Sequence, residues 1–208
     1  MSLDLFAEQD LQQPARVERI SDQAFVLRGF ALPRIKELLA ALDTVLLQSP
    51  LRQMQTPGGF TMSARLSSCG DWGWTTDRDG YRYSPVDPLH ARPWPAMPGV
   101  FLALAEAAAS AAGFENFVPD ACLINSYAPG AKMSLHQDKN ERSFIAPIVS
   151  VSLGLPAVFQ FGGFERSDPS QRISLFHGDI VVWGGVDLLR FHGVMPIKPG
   201  HHSLLGEQ

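Results

Sequence analysis

Between residues 121 and 194 the chain is divided into six short apolar runs, 121–127, 148–153, 158–161, 173–176, 180–183 and 188–194, each closed by Gly, Pro, Asp or Ser. Runs this short, rich in Val, Ile and Phe, suit strands better than helices, which need ten or more residues to bury a face. Six short strands at this spacing, preceded by helices, imply a sandwich or jelly-roll core.

The first half reads differently. Residues 25–30 predict a short strand. Residues 33–48 then place Ile35, Leu38, Leu39, Leu42, Val45 and Leu46 at helical spacing behind Pro33, which suits a first turn. A second helix is expected over 98–112, with Gly113 as its stop. Between them, 51–95 is rich in Gly, Pro, Ser, Thr and aromatics, with turn signals at Pro57-Gly58-Gly59 and Asp79-Gly80. A long irregular stretch in a compact domain is usually functional or mobile. The class predicted is α+β, a single domain over 1–208.

With 208 residues, 45% of them hydrophobic and 18% charged, the chain can bury a core without staples. Its two cysteines, Cys69 and Cys122, make neither a disulfide framework nor a Cys-x-x-Cys metal site, and suit a reducing compartment. Residues 1–8 lack the basic start and apolar stretch of a secretory signal, and no segment reaches membrane-spanning length. The expectation is a cytoplasmic monomer without a membrane partner.

Two triplets of the form His-x-Asp occur. His177-Gly178-Asp179 falls between two strand-like runs and reads as a tight hairpin turn, Gly178 supplying a positive φ. His136-Gln137-Asp138 lies beyond the 121–127 run, and His192 stands inside the last run. In a strand, residues two apart project to one face, so one metal ion can take both His136 and Asp138. Two imidazoles and a carboxylate are the ligand set that binds non-haem Fe(II) on one face and leaves its other positions open. A structural zinc site would close with four protein ligands. On spacing alone the three read equally well as unrelated surface or core side chains.

A net charge of −4 argues against a surface that coats nucleic acid indiscriminately, though not against a local basic groove. Arg65, Arg78, Arg82, Lys132, Lys139, Arg142 and Arg166 fall around the candidate segments, interleaved with Trp72, Trp74, Tyr81 and Tyr83. Cations for phosphates and flat rings for bases suit a single strand. A solvated charged loop with a few packed aromatics reads equally well.

Several motifs together go further: Pro57-Gly58-Gly59-Phe60-Thr61-Met62-Ser63, Gly73-Trp74-Thr75-Thr76, Trp94-Pro95-Ala96-Met97-Pro98, Pro119-Asp120-Ala121-Cys122-Leu123-Ile124-Asn125, Tyr127-Ala128-Pro129-Gly130-Ala131-Lys132, Leu135-His136-Gln137-Asp138-Lys139 and Phe159-Gln160-Phe161-Gly162-Gly163. From about residue 25 onward the chain resembles the bacterial AlkB family of Fe(II)- and 2-oxoglutarate-dependent dioxygenases that repair alkylated bases. The resemblance implies a double-stranded β-helix (jelly-roll) core over 119–208, two flanking N-terminal helices and a substrate-recognition lid over 51–95. It implies that His136, Asp138 and His192 hold Fe(II), and that Leu123, Asn125 and Tyr127 line the 2-oxoglutarate pocket, with O2 as second cosubstrate. Trp74, Tyr81 and Arg166 match positions at the substrate base, and Leu66 falls at a pocket wall. No catalytic residue beyond the metal ligands is implied.

The activity implied is oxidative demethylation of 1-methyladenine and 3-methylcytosine in single-stranded DNA or RNA, with release of formaldehyde, succinate and CO2. Base extraction favours unpaired substrates. Two departures stand out. Asn140 occupies the position where the family pattern has an acid poised over the base, with Glu141 next to it as a substitute. The family pattern also ends in a strand carrying an Arg, an Asn and a second Arg, so the core as far as Gln208 is expected to lack its last strand. The alternatives are a 2-oxoglutarate oxygenase acting on protein or lipid, or a non-catalytic nucleic-acid-binding module if that strand is absent.

Overall fold

The structure is a computed structural model that describes residues 16–141 and 143–207. Arg142 and the first fifteen residues, on which the basic-groove and leader expectations partly rest, lie outside the described residues.

Two four-stranded sheets make the body. The first has the order β1-β2-β13-β10, built from β1 (Arg16–Ser21), β2 (Ala24–Arg28), β13 (Ile180–Trp183) and β10 (Ile148–Val151), all neighbours antiparallel. The second has the order β12-β11-β14-β9, from β12 (Gln171–Leu175), β11 (Ala157–Phe161), β14 (His192–Val194) and β9 (Met133–His136).

Alternation along β2 and β13 explains the layers. Val26, Val181 and Trp183 point inward and pack with Phe159, Phe161, Ile173 and Leu175 of the second sheet. Leu27, Ile180 and Val182 point the other way, against Leu38 of α1 (Ile35–Gln48) and Val100, Leu104 and Ala108 of α2 (Gly99–Ala111). Both faces of β13 are therefore covered, which is why Ile-Val-Val-Trp is apolar throughout. Fully burying each such side chain stabilises the fold by roughly 1.5–3 kcal/mol. Among the described residues, no helix is long and apolar enough to cross a membrane.

Both expected helices are present, α1 entered through a single 3-10 turn at Leu32–Arg34. The stretch 51–95, expected to be irregular, instead carries β3 (Arg65–Gly70), β4 (Gly73–Asp77), β5 (Gly80–Ser84), β6 (Val86–Asp87) and β7 (Arg92–Pro93). β3 pairs with β8 (Ala121–Ser126), and β4 with β5. The sequence concealed β3 because it buries serines: Ser67 donates to the Ser49 carbonyl at 2.5 Å, which removes the penalty for placing a hydroxyl in the core. The strand expected over 188–194 is confined to its last three residues, since Asp187 accepts from Ser21 and the Gln23 N–H and pairs with Arg190, holding a 3-10 turn ahead of it.

Gly178 has the expected positive φ, +88°, but the turn is not a hairpin. β12 and β13 belong to different sheets, and the turn carries the chain from one to the other. Asp179 secures the crossing by accepting from Arg28 and from the Gly29 and Phe176 N–H groups.

Candidate metal centre

β9 and β14 are antiparallel neighbours, and His136 stands directly opposite His192, with a register shift between that pair and Met133–Val194. Their ring centroids are 4.4 Å apart. Asp138, just past the end of β9, turns its carboxylate between them: Oδ2 lies 3.2 Å from His192 Nε2 and Oδ1 lies 3.6 Å from His136 Nε2. One ligand atom from each of the three falls within 4.8 Å of the others. The second triplet, His177 and Asp179, takes no part.

Backbone carbonyls fix the imidazole tautomers. His136 Nδ1 is 3.0 Å from Ser134 O, and His192 Nδ1 is 3.0 Å from Arg190 O. A carbonyl can only accept, so each Nδ1 carries hydrogen and each Nε2 presents its lone pair to the centre. Burial, then the neighbouring His192, holds His136 below the usual imidazole range. Burial pushes the Asp138 carboxyl upward, but the adjacent His192 and His136 imidazoles outweigh it and leave it lowered. A neutral imidazole and an ionised carboxylate are what a divalent cation binds without first displacing protons. Two nitrogen donors and one oxygen donor on one side fit Fe(II) with open positions opposite.

A layer of hydrogen bonds ties the two ligand-bearing segments together, and spacing had not indicated it. Gln137, between two of the ligands, points away from them and donates to Leu189 O at 2.5 Å, across to the segment leading into His192. Arg166 donates to Leu135 O at 2.5 Å, and its guanidinium lies 5.0 Å above the Phe191 ring. Trp183 closes the inner side, its ring 4.9 Å from His192.

The hairpin β4–β5 is attached to the same loop. Asn140 Nδ2 donates to Tyr81 O at 2.7 Å, and the Tyr83 hydroxyl donates to Glu141 Oε1 at 2.8 Å. Burial, against the Tyr83 bond, raises Glu141 above the ordinary carboxyl range. Trp74 and Tyr81, opposed diagonally on this hairpin, stack at 5.7 Å with 26° between planes, and Tyr81 is 45% exposed. Asn140 thus spends one amide hydrogen on the hairpin and keeps its carbonyl oxygen as an acceptor.

The candidate cosubstrate residues lie on the β3–β8 ladder. Leu66 pairs with Asn125 and Ser68 with Leu123, so Leu66, Leu123 and Asn125 share one face. Tyr127 follows at the same alternation, and burial pushes its phenol up to about 12. The expected basic groove is thinner than its residue list. Arg82 is held by both oxygens of Asp77, at 2.8 and 2.6 Å, and Arg65 donates to Leu51 O.

Facing antiparallel sheets with two imidazoles and a carboxylate opened at one end define a non-haem iron oxygenase. Residues 23–208 match the family model described as the 2OG-Fe(II) oxygenase superfamily. The chain is 56% identical over 202 residues to the alpha-ketoglutarate-dependent dioxygenase AlkB of Escherichia coli K12, covering 97% of this chain and 92% of that one. It is 31% identical over 127 residues to human nucleic acid dioxygenase ALKBH1, covering 61% of this chain and 31% of that one. The solved structure of OsALKBH1 superposes with a TM-score of 0.75 at 25% identity, covering 88% and 89% of the two chains. The chain belongs to the 2OG-Fe(II) oxygenase superfamily and, within it, to the bacterial AlkB dioxygenases, enzymes that use Fe(II), 2-oxoglutarate and O2.

Proposed function

We propose that the protein removes N-linked methyl groups from bases of single-stranded DNA or RNA, 1-methyladenine and 3-methylcytosine being the substrates expected. The observation that carries this reading is the stacked Trp74–Tyr81 pair, bonded through Asn140 to the loop that bears Asp138. Flat rings beside a redox metal are what an unstacked base needs in order to be held with its methyl group toward the iron. The names of relatives, a nucleic acid dioxygenase among them, point the same way.

In this reading His136, Asp138 and His192 hold the iron. The bound metal supplies the oxidation of 2-oxoglutarate by O2 to succinate and CO2 and the hydroxylation of the N-methyl carbon, after which formaldehyde leaves. Asn125 and Tyr127 offer an amide and a phenol to the cosubstrate carboxylates, beside the apolar Leu123. Leu66 forms a wall, and Asn140 accepts from an exocyclic amino group through its carbonyl oxygen. Arg166 contributes its unspent N–H groups at the base pocket. The two four-stranded sheets form the double-stranded β-helix, flanked by α1 and α2 in one domain with 51–95 as its lid. The protein works as a cytoplasmic monomer.

The test is formaldehyde release from oligonucleotides carrying 1-methyladenine, with Fe(II) and 2-oxoglutarate, scored against a His136→Ala variant. Demethylation that tracks succinate one for one is expected. Turnover of 2-oxoglutarate that no methylated oligonucleotide stimulates would overturn the reading and favour a protein or lipid substrate.

A further inference from the structure

Besides the metal centre, the fold brings together a pair of reactive side chains far apart in the chain. The sequence contains two cysteines, and β3 pairs with β8 so that Cys69 stands directly opposite Cys122. Directly opposed residues of an antiparallel ladder project to the same face, with Cα atoms about 4.5 or 5.5 Å apart according to the kind of pair. Both separations lie within the roughly 4.4–6.8 Å that a disulfide spans, so a bond between these sulfurs requires no change of register. Both thiols are free.

The two sulfurs are not equivalent. Cys69 is fully buried, whereas Cys122 is partly exposed. The neighbouring Cys69 thiol holds Cys122 below the usual thiol range against the effect of burial, while Cys122 and burial together hold Cys69 above it. Cys122 is the partly exposed residue of the pair and the one whose thiol is shifted toward the thiolate. Redox-sensing cysteines share that arrangement: a reactive thiolate next to a resolving partner. A cysteine serving only as a small apolar side chain needs neither the register nor the asymmetry.

We propose that Cys69 and Cys122 form a redox site, a dithiol that closes to a disulfide across β3 and β8 when it meets a hydroperoxide. The Cys122 thiolate attacks the terminal oxygen of the hydroperoxide. An S–O bond forms, the O–O bond breaks, and the alkoxide leaves and takes up a proton as the alcohol. Cys69 then attacks the sulfenic sulfur: the S–S bond forms, the S–O bond breaks, and hydroxide departs with the Cys69 proton as water. Two thiols lose two electrons and two protons, and the hydroperoxide is reduced to alcohol and water.

The cross-link lies on the face of the ladder opposite Leu66, Leu123 and Asn125, and the metal ligands stand on β9 and β14 and the loop between. Oxidation therefore joins the two strands behind the candidate cosubstrate residues without entering their pocket, and leaves metal binding intact.

The experiment uses the reduced full chain, stripped of metal so that iron cannot generate radicals, treated with graded hydrogen peroxide or tert-butyl hydroperoxide. Remaining thiols are then alkylated and counted by intact mass and non-reducing peptide mapping. Both thiols are expected to vanish together, with the protein two hydrogens lighter and one peptide joining Cys69 to Cys122. Cys69→Ser should leave a sulfenic acid at Cys122 that a 1,3-dione probe captures, and Cys122→Ser should leave Cys69 unreacted. Two thiols still alkylated at doses that oxidise exposed methionines would overturn the proposal, as would independent oxidation of each cysteine. The wild-type chain answers this without a variant, so poor folding of either serine substitution cannot leave it open.

Discussion

Gln137→Met isolates what the hydrogen bond across the metal centre contributes. Met matches Gln in length and volume but cannot donate, so the change deletes the 2.5 Å bond to Leu189 O while leaving His136 and Asp138 in place. A neutral hydrogen bond contributes about 0.5–1.5 kcal/mol net, and a carbonyl left partly unsatisfied costs about 1–3 kcal/mol. Only the fraction that differs between metal-free and metal-bound protein reaches the binding constant. Without the clamp the segments carrying Asp138 and His192 must be ordered by the metal itself. Loss of outer hydrogen bonds of this kind typically costs about 10–100-fold in metal affinity, equivalent to about 1.4–2.8 kcal/mol. The assay is anaerobic titration with Fe(II), or with Mn(II) as a redox-stable substitute, read by quenching of tryptophan fluorescence, since Trp183 lies 4.9 Å from His192. Metal-free wild type and variant should differ in unfolding free energy by no more than the roughly 0.5–1.5 kcal/mol that one neutral hydrogen bond contributes. Unchanged metal affinity would refute the reasoning. So would equal losses of affinity and metal-free stability, because the bond would then support the fold and not the site.

Asp187→Asn keeps the shape but removes the charge that pairs with Arg190 and accepts from Ser21 and the Gln23 N–H; with Asp187 1% exposed, a loss of about 2–4 kcal/mol is expected in urea unfolding. Trp74→Ala and Tyr81→Ala each remove half of a 5.7 Å stack and should weaken binding of a methylated single strand by about 1–3 kcal/mol, seen by fluorescence anisotropy, with metal affinity unchanged. His177 is 5% exposed, and burial followed by the nearby His202 lowers it from 6.5 to about 4. At pH 7 folded and unfolded chains both carry this ring neutral. As pH falls below 6.5 the unfolded chain takes up a proton that the folded chain refuses, so stability declines until about pH 4, by about 3 kcal/mol in total. His177→Gln, which can still accept from the Gly154 N–H, should flatten that decline in urea midpoints measured across the window; an unchanged slope would assign it to other groups.

The sequence by itself determined the local elements. Helical spacing over 33–48 marks α1, and an uninterrupted Ile-Val-Val-Trp marks a strand covered on both faces, because side-chain direction is set by backbone period alone. It also supplied a His and an Asp two residues apart, able to reach one metal. Position between two strand-like runs set the other such triplet, His177-Gly178-Asp179, apart as a turn. What position could not supply is the third ligand: β9 and β14 pair with His136 opposite His192, while the other triplet turns between sheets and spends its carboxylate on Arg28 and two backbone N–H groups. The β3–β8 ladder was hidden for a related reason: its serines and cysteines carry little apolar signal, and burial of Ser67 becomes affordable only when the Ser49 carbonyl stands beside it. The same ladder places Cys69 against Cys122, and the clamp from Gln137 to Leu189 likewise depends on which strands lie side by side. Local period fixes which way a side chain points; partner and register follow from which apolar faces bury one another across the whole chain, and only the assembled tertiary structure decides that.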